Sequence, residues 1–188
     1  MKLNMGCGHN HKDGFVNVDS APASGPDVVW DLEQTPWPWP DNAAEEVEFI
    51  HSLEHIGGDP KVFLAVMSEL YRVCAPGAAV RIHVPHPRHD NFLNDPTHVR
   101  PITPEMLGLF DRALNDQWKA KGAANSPLAH YTGVDFVMES CGTVLDERYA
   151  AEMQAGRIDS AQLNEMIRSR NNVAMEYRIV LRARKAAA

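Results

Sequence analysis

Cysteine is scarce in this chain and never closely spaced. Only Cys7, Cys74 and Cys141 occur among its 188 residues. Three widely separated thiols exclude a disulfide framework and a C-x-x-C zinc ribbon, and they fit a reducing compartment. No apolar run approaches the roughly 18–20 residues of a membrane span. The stretch after Lys2, Leu3-Asn4-Met5-Gly6, lacks the apolar segment of about 7–15 residues that marks a secretory leader. A cytoplasmic chain without membrane attachment is expected. Positive charge is also short: 18 Lys and Arg against 25 Asp and Glu leave a formal net charge of −7. That excludes a broad basic surface for nucleic-acid phosphates. The local run of Arg168, Arg170, Arg178, Arg182, Arg184 and Lys185 reads as a solvated face. With no repeat, low-complexity tract or linker, residues 1–188 read as one domain, long enough for a substantial core.

What is present is a series of short apolar runs of strand length: Lys2 to Met5, Phe15 to Asp19, Asp27 to Trp30, Val47 to Ile50, Val80 to Val84, an interrupted Phe136 to Leu145, and Ala174 to Ala183. Their continuity predicts strands buried in a parallel sheet rather than half-wet antiparallel ones. Between them, Pro60 to Cys74 reads as a helix, with Val62, Phe63, Val66, Met67, Leu70 and Val73 on one stripe and Ala75-Pro76-Gly77 as its stop. Thr103-Pro104-Glu105 predicts a second helix carrying Met106, Leu107, Phe110 and Leu114. A third spans Ser160 to about Arg170, with Leu163, Met166 and Ile167 inward. Asn115 to Tyr131 offers no regular pattern. The helix at Pro60 closes one βαβ crossover. Only Gly6 to Gly14 and Ser20 to Pro26 separate the first three strands, too little for helical crossovers, so tight loops or single turns are expected there. The long last strand could pair inside the sheet or across a homodimer edge.

The front of the chain holds the sharpest pattern. Strand, Gly6-Cys7-Gly8, strand and Asp19 follow one another within 19 residues. Glycines admit a ligand close to the backbone, and a carboxylate at the next strand tip can accept hydrogen bonds from two ribose hydroxyls.

Taken with four later segments, this pattern resembles the class I S-adenosylmethionine-dependent methyltransferases, of the group acting on small molecules. Leu3-Asn4-Met5-Gly6-Cys7-Gly8 is similar to the family's glycine loop. Asp19 stands where its ribose-binding acid falls. Asp31-Leu32 and Pro36-Trp37-Pro38-Trp39-Pro40-Asp41-Asn42 resemble its adenine-contacting acid, apolar neighbour and following loop. Ile50-His51-Ser52-Leu53-Glu54-His55 resembles the segment after its fourth strand, and Glu69-Leu70-Tyr71-Arg72-Val73-Cys74-Ala75-Pro76-Gly77-Ala78 its E-x-x-R-V-L-K-P-G-G stretch. The resemblance covers roughly the first 110 residues. It implies an α/β, Rossmann-like, open and mostly parallel seven-stranded sheet with the final strand antiparallel, here with a trimmed N-terminal half and short crossovers. It implies S-adenosylmethionine as cofactor, bound by Asn4, Gly6, Cys7, Gly8, Asp19, Asp31, Leu32 and His51, and a small-molecule acceptor. Asn4 replaces an acid usual in the family and adds no charge. The family's helical N-terminal extension is not seen, so a lid is expected from elsewhere. Trp37 and Trp39 suit either stacking on adenine or plain packing.

Methyl transfer from a sulfonium is a displacement in which alignment does most of the work, and a base is needed only where the acceptor must lose a proton. His86 or His51 is the expected base, with Asp95 and His98 orienting substrate and His83 structural. The group His83, His86, His89, Asp90, Asp95 and His98 also admits a metal-dependent hydrolase, although Pro85 and Pro87 deny it the helical spacing of H-E-x-x-H. A third reading is a cofactor-binding domain without turnover. Neither the proline-preceded cysteine of the cytosine-C5 enzymes nor an N-P-P-Y motif occurs. Acceptor selectivity is expected in the Arg88 to Pro101 loop and the Asn115 to Tyr131 stretch.

Overall fold

A computed structural model describes residues 1–185. Its centre is one seven-stranded sheet. In chain order the strands are β1 (Lys2–Met5), β2 (Val16–Asp19), β3 (Val28–Val29), β4 (Ala44–Ile50), β5 (Cys74–Pro85), β6 (Phe136–Leu145) and β7 (Ala174–Ala183). In space they run β3-β2-β1-β4-β5-β7-β6, and β7 alone is antiparallel to its neighbours. The expected sheet is therefore present. β7 pairs inside it, between β5 and β6, so the edges are β3 and β6.

The principal helix is α1 (Pro60–Val73). Asp59 caps it by accepting from the Lys61 N–H at 2.8 Å, and Phe63, Val66, Met67, Leu70 and Val73 are buried along it. It ends where β5 begins, at Cys74. α2 (Asp90–Leu93), α3 (Pro104–Gly108), α4 (Arg112–Ala120) and α5 (Leu128–Thr132) follow, then α6 (Glu147–Gln154) and α7 (Ser160–Ser169). The helix expected from Thr103 onward is two helices. Thr103 caps α3 as anticipated, but the chain turns at Leu109 and Phe110, and Asp111 starts α4 by accepting from Leu114 N–H at 3.1 Å. The Asn115 to Tyr131 stretch, read as irregular, contains most of α4 and nearly all of α5.

The sheet departs from the expectation of strands buried on both faces. Leu3, Met5, Val47, Phe49, Val80, Ile82, Ile179 and Leu181 share one face in register and are at most 1% exposed. α1 and the α3 to α5 region cover that face, as Phe63 against Phe110 and Tyr71 against Phe136 demonstrate. The opposite face carries Lys2, Asn4, Glu46, Glu48, Arg81, His83, Glu176, Arg178 and Arg182. The cause is the two short crossovers. Right-handed connections from β1 to β2 to β3 would lay helices on this face. Here a loop without helix and a single 3-10 turn, Pro22–Ser24, stand in their place. The bare face is answered by a lattice of charge. Glu46 meets Lys2 at 2.8 Å and Arg81 at 2.7 Å, Glu48 meets Lys12, and Glu176 meets Arg178.

Hydrogen bonds from Arg81, then Lys2, hold the Glu46 carboxyl at about 2 against an ordinary 4.5. A lowered carboxylate pKa gives stability that is present above the ordinary value and lost as pH falls through the lowered one. Both cationic partners are nearly half exposed, so screening limits the effect. Glu46→Gln is expected to cost about 1 kcal/mol in urea unfolding at pH 7, with the difference disappearing as pH falls toward 2.

Candidate active site

A cleft of about 370 Å³ opens at the carboxyl edge of β1, β2 and β4, a size suited to a small ligand. Gly6, Gly8, Asp19, Ser20, Trp30, Asp31, Leu32, Glu33, His51, Ser52, His55 and Ile56 line it. Its floor depends on Gly6, where φ is +67°. A Cβ there would lie 2.5 Å from Cβ of Ser52, whose hydroxyl donates to Met5 O at 2.7 Å. Gly6 thus lets the turn after β1 meet the turn after β4. Gly8 differs: a Cβ at that residue would meet nothing within 4 Å, so it would stand in open space.

Asp19 ends β2 with its carboxylate held in place. Gly8 N–H donates to Oδ2 and Ala21 N–H to Oδ1, each at 2.8 Å. Each oxygen retains a lone pair for a further donor. Asp31 follows β3, exposed, accepting from Glu33 N–H at 3.0 Å. Leu32 is buried beside it, and its carbonyl accepts from Trp37 Nε1 at 2.9 Å. Trp37 and Trp39 belong to the core, 3% and 8% exposed and edge to face at 6.2 Å, while Trp30 is the indole at the cleft. Arg72 fixes this wall from behind. It donates to Trp37 O, Trp39 O, Asp41 and Glu69, and Glu69 in turn accepts from Trp37 N–H at 2.7 Å.

Asn4 and Cys7 do not line the cleft. The Asn4 amide is buried and donates to Asn10 O and to Asn17 Oδ1, both at 2.9 Å. The Cys7 thiol bonds to Gly8 O, and burial, with Asp19 nearby, raises its pKa.

Six of the nine histidines fall into two sets. His83, His86 and His89 lie apart from the cleft. His86 is 5% exposed, packs on Tyr177 at 4.8 Å and accepts from Arg88 N–H at Nδ1, and burial lowers its pKa. With Nδ1 already accepting, it is placed to shape a turn rather than take a proton. His89 accepts from Asn91 N–H at the start of α2. His83 faces the charged side of the sheet, 3.9 Å from Glu176. The metal set weighed from sequence is therefore not gathered in one place; among the described residues, Glu54, His55 and His98 are the side chains that converge at ligand spacing.

The second set, His51, His55 and His98, surrounds Glu54. His51 follows β4 at φ +52°. Its Nδ1 lies 3.7 Å from Glu54 and its Nε2 2.9 Å from Glu176. Glu54 first and Glu176 second raise its pKa, against partial burial. A raised value favours imidazolium, which orients an anion or lone pair but takes no proton. Asp95 is bound within its own turn, accepting from Thr97 N–H and Oγ1–H, with its other oxygen 3.8 Å from His98 Nε2. Sequence reasoning counted His55 among the candidate bases but gave no site role to Glu54, Ser52, Trp30 or Glu33, although Ser52 and Glu54 fall within a segment it likened to the family's and Trp30 ends a run it read as a strand.

No protein-family model and no curated protein sequence matches this chain. Solved structures do. A SAM-dependent methyltransferase from Archaeoglobus fulgidus is similar over 96% of this chain and 85% of its own, at 20% identity and a TM-score of 0.63. The 1,6-didemethyltoxoflavin-N1-methyltransferase of Burkholderia thailandensis, with 1,6-didemethyltoxoflavin and S-adenosylhomocysteine bound, is similar over 98% and 71%, at 10% identity and a TM-score of 0.53. The [4+2]-cyclase SpnF is similar over 98% of this chain and 75% of its own, at 14% identity and a TM-score of 0.54. At these identities the likeness is one of fold: the chain has the Rossmann-like architecture of SAM-dependent methyltransferases.

Proposed function

We propose that this chain, folded as the SAM-dependent methyltransferases are, binds S-adenosylmethionine in the cleft above β1 and β2 and transfers its methyl group to oxygen or nitrogen of a small molecule. The observation that carries the reading is the Asp19 carboxylate, locked by Gly8 and Ala21 N–H at the mouth of that cleft. Two remaining lone pairs aimed into an open space beside Gly8 are the acceptors that vicinal ribose hydroxyls require. Asp31 offers an exposed carboxylate to an adenine amino group, and Trp30, Leu32 and Ile56 supply apolar contact for the ring. Gly6 and Gly8 leave the backbone within reach of the cofactor.

Bound S-adenosylmethionine supplies a methyl group on a sulfonium, activated for direct displacement by a lone pair. The chain's own part is positional. Ser52 and Gly6 fix the cleft floor, and His51, with Nε2 bonded to Glu176 and Nδ1 facing Glu54, sets a positive charge beside it. An acceptor proton leaves on the side of the cleft that His55 lines, rather than toward His86. A nucleic-acid acceptor is disfavoured by the net negative charge of −7. We place this activity in the cytoplasm, which the scattered thiols suit; no helix among the described residues is long and apolar enough to cross a membrane.

A second reading has one observation behind it. With the Asn4 amide spent on Asn10 and Asn17, β1 offers no acid to the amino-acid end of the cofactor. That favours a domain that holds S-adenosylmethionine without turning it over. Calorimetric titration with S-adenosylmethionine, followed by S-adenosylhomocysteine release over a panel of hydroxyl, amine and carboxylate acceptors, separates the two. Binding with release is expected. Binding alone would favour the second reading, and failure to bind would overturn both.

A further inference from the structure

We infer that Glu54, His55 and His98 form a binding site for a divalent transition-metal ion of the zinc type, at the edge of the cleft. Glu54 is the starting point. Its side chain is 1% exposed, and neither carboxylate oxygen has a hydrogen-bond partner among the described residues. A buried unpaired carboxylate is costly, so a group that compensates it is expected.

His51 Nδ1 stands 3.7 Å away on one side, beyond hydrogen-bond distance, and the two other histidines facing Glu54 turn a bare nitrogen toward it, which calls for a cation between them. His98 Nδ1 lies 2.9 Å from Phe92 O. A carbonyl only accepts, so Nδ1 carries the hydrogen, and in the neutral ring Nε2 is a bare lone pair. That bare nitrogen faces Glu54 Oε1 at 4.0 Å and Asp95 Oδ2 at 3.8 Å. His55 repeats the arrangement. Its Nδ1 meets Thr97 O at 3.2 Å and Thr97 Oγ1 at 2.9 Å, and that hydroxyl gives its own hydrogen to Asp95. Nδ1 of His55 is therefore a donor too, leaving its Nε2 bare. Histidine ligands are commonly fixed in this way, with one ring N–H donated to a carbonyl and the other nitrogen left for the metal.

The backbone holds the three residues together. Val99 and Arg100 N–H both donate to Glu54 O, at 3.0 and 3.2 Å, which brings His98 over the 3-10 turn Leu53–His55. The His55 and His98 rings lie 4.6 Å apart. One ligand atom from each of the three residues lies within 4.8 Å of the others. A tetrahedral ion with bonds of about 2.0–2.1 Å draws its ligand atoms to roughly 3.3 Å, so small ring rotations complete the site. Two imidazoles and one carboxylate select a borderline metal over Mg²⁺ or Ca²⁺ and leave coordination positions open. His55 lines the cleft, so an open position is placed to take an oxygen of the acceptor. This last role rests on the methyltransferase reading; the metal site does not.

The test is Zn²⁺ titration of chelator-treated protein, with elemental analysis of the dialysed product and the visible spectrum of a Co²⁺ substitute. One equivalent per chain is expected, with affinity at least about 100-fold lower in His98→Ala and in Glu54→Gln, since each removes a ligand. His55→Ala serves as the third variant should a buried substitution prevent folding, as judged by circular dichroism. Uptake of well under one equivalent, or Zn²⁺ affinity unchanged in folded variants, would overturn the inference and leave His51 as the cationic neighbour of Glu54. Titration of S-adenosylmethionine into the metal-free protein keeps the two readings apart. A protein that binds the cofactor but takes up no zinc sinks only the metal site, and one that takes up zinc but binds no cofactor sinks only the methyltransferase reading.

Discussion

Replacing Asp19 by alanine is expected to weaken S-adenosylmethionine binding at least about 100-fold. Two hydrogen bonds to a charged group at about 1.5 kcal/mol each give roughly 3 kcal/mol, and every 1.4 kcal/mol is tenfold. The structure adds a second loss. Gly8 and Ala21 N–H both donate to this carboxylate, so its removal also frees the glycine loop that forms the cleft edge. Asp19→Asn is expected to fail nearly as badly, because its NH₂ group must face one of those two N–H donors. Asp31→Ala, at an exposed residue bound only to Glu33 and Gln34, should cost much less. Calorimetric titration of the three variants checks the order. Unchanged affinity in a natively folded Asp19→Ala would remove the basis of the proposed cofactor pose.

Gly6→Ala is expected to be the most damaging single substitution near the site. A φ of +67° costs an alanine about 1–2 kcal/mol. The new Cβ would also sit 2.5 Å from Cβ of Ser52, closer than packed carbons come. Either the turn after β1 or the turn after β4 must move, breaking the Ser52 hydroxyl bond to Met5 O. A total of about 3–4 kcal/mol follows, or a fall in Tm of roughly 6–16 °C for a chain of this size. The double variant Gly6→Ala/Ser52→Gly should recover the steric part and keep the φ part. Thermal unfolding of both proteins checks this. If the second substitution returned nothing, the contact between the two turns would not be the source of the loss.

Much of this arrangement was legible because it is local. The Gly6-Cys7-Gly8 turn, Asp19, Asp31-Leu32 and the stripe on α1 each depend on a few neighbouring residues, and each lies where the pattern indicated. What was not legible depends on distant pairings. Glu54 reads as an ordinary acid in a polar segment; only the pairing of its carbonyl with Val99 and Arg100 reveals that it is buried and whom it faces. His86 follows a strand end as His51 does, yet the chain turns it onto Tyr177 and away from the cleft. Trp37 and Trp39 suited two environments equally, and Arg72, from a segment beginning at Glu69, holds their loop in the core. The open face of the sheet did have a signal. Lys2 and Asn4 alternate with Leu3 and Met5, and Glu46 and Glu48 with Val47 and Phe49, a period of two that the apparent continuity of the apolar runs concealed.

That one-sided sheet has a further bearing on how the protein tolerates change. A doubly covered sheet distributes its dry contacts over two layers, and damage to one leaves the other intact. Here Phe49, Val80, Ile82 and Ile179 press against a single set of helices. A cavity opened beneath α1 therefore weakens the hydrophobic layer that, among the described residues, joins β1 to β4 with β6 and β7, whereas the ionic face can exchange its charges pair by pair at little risk to folding.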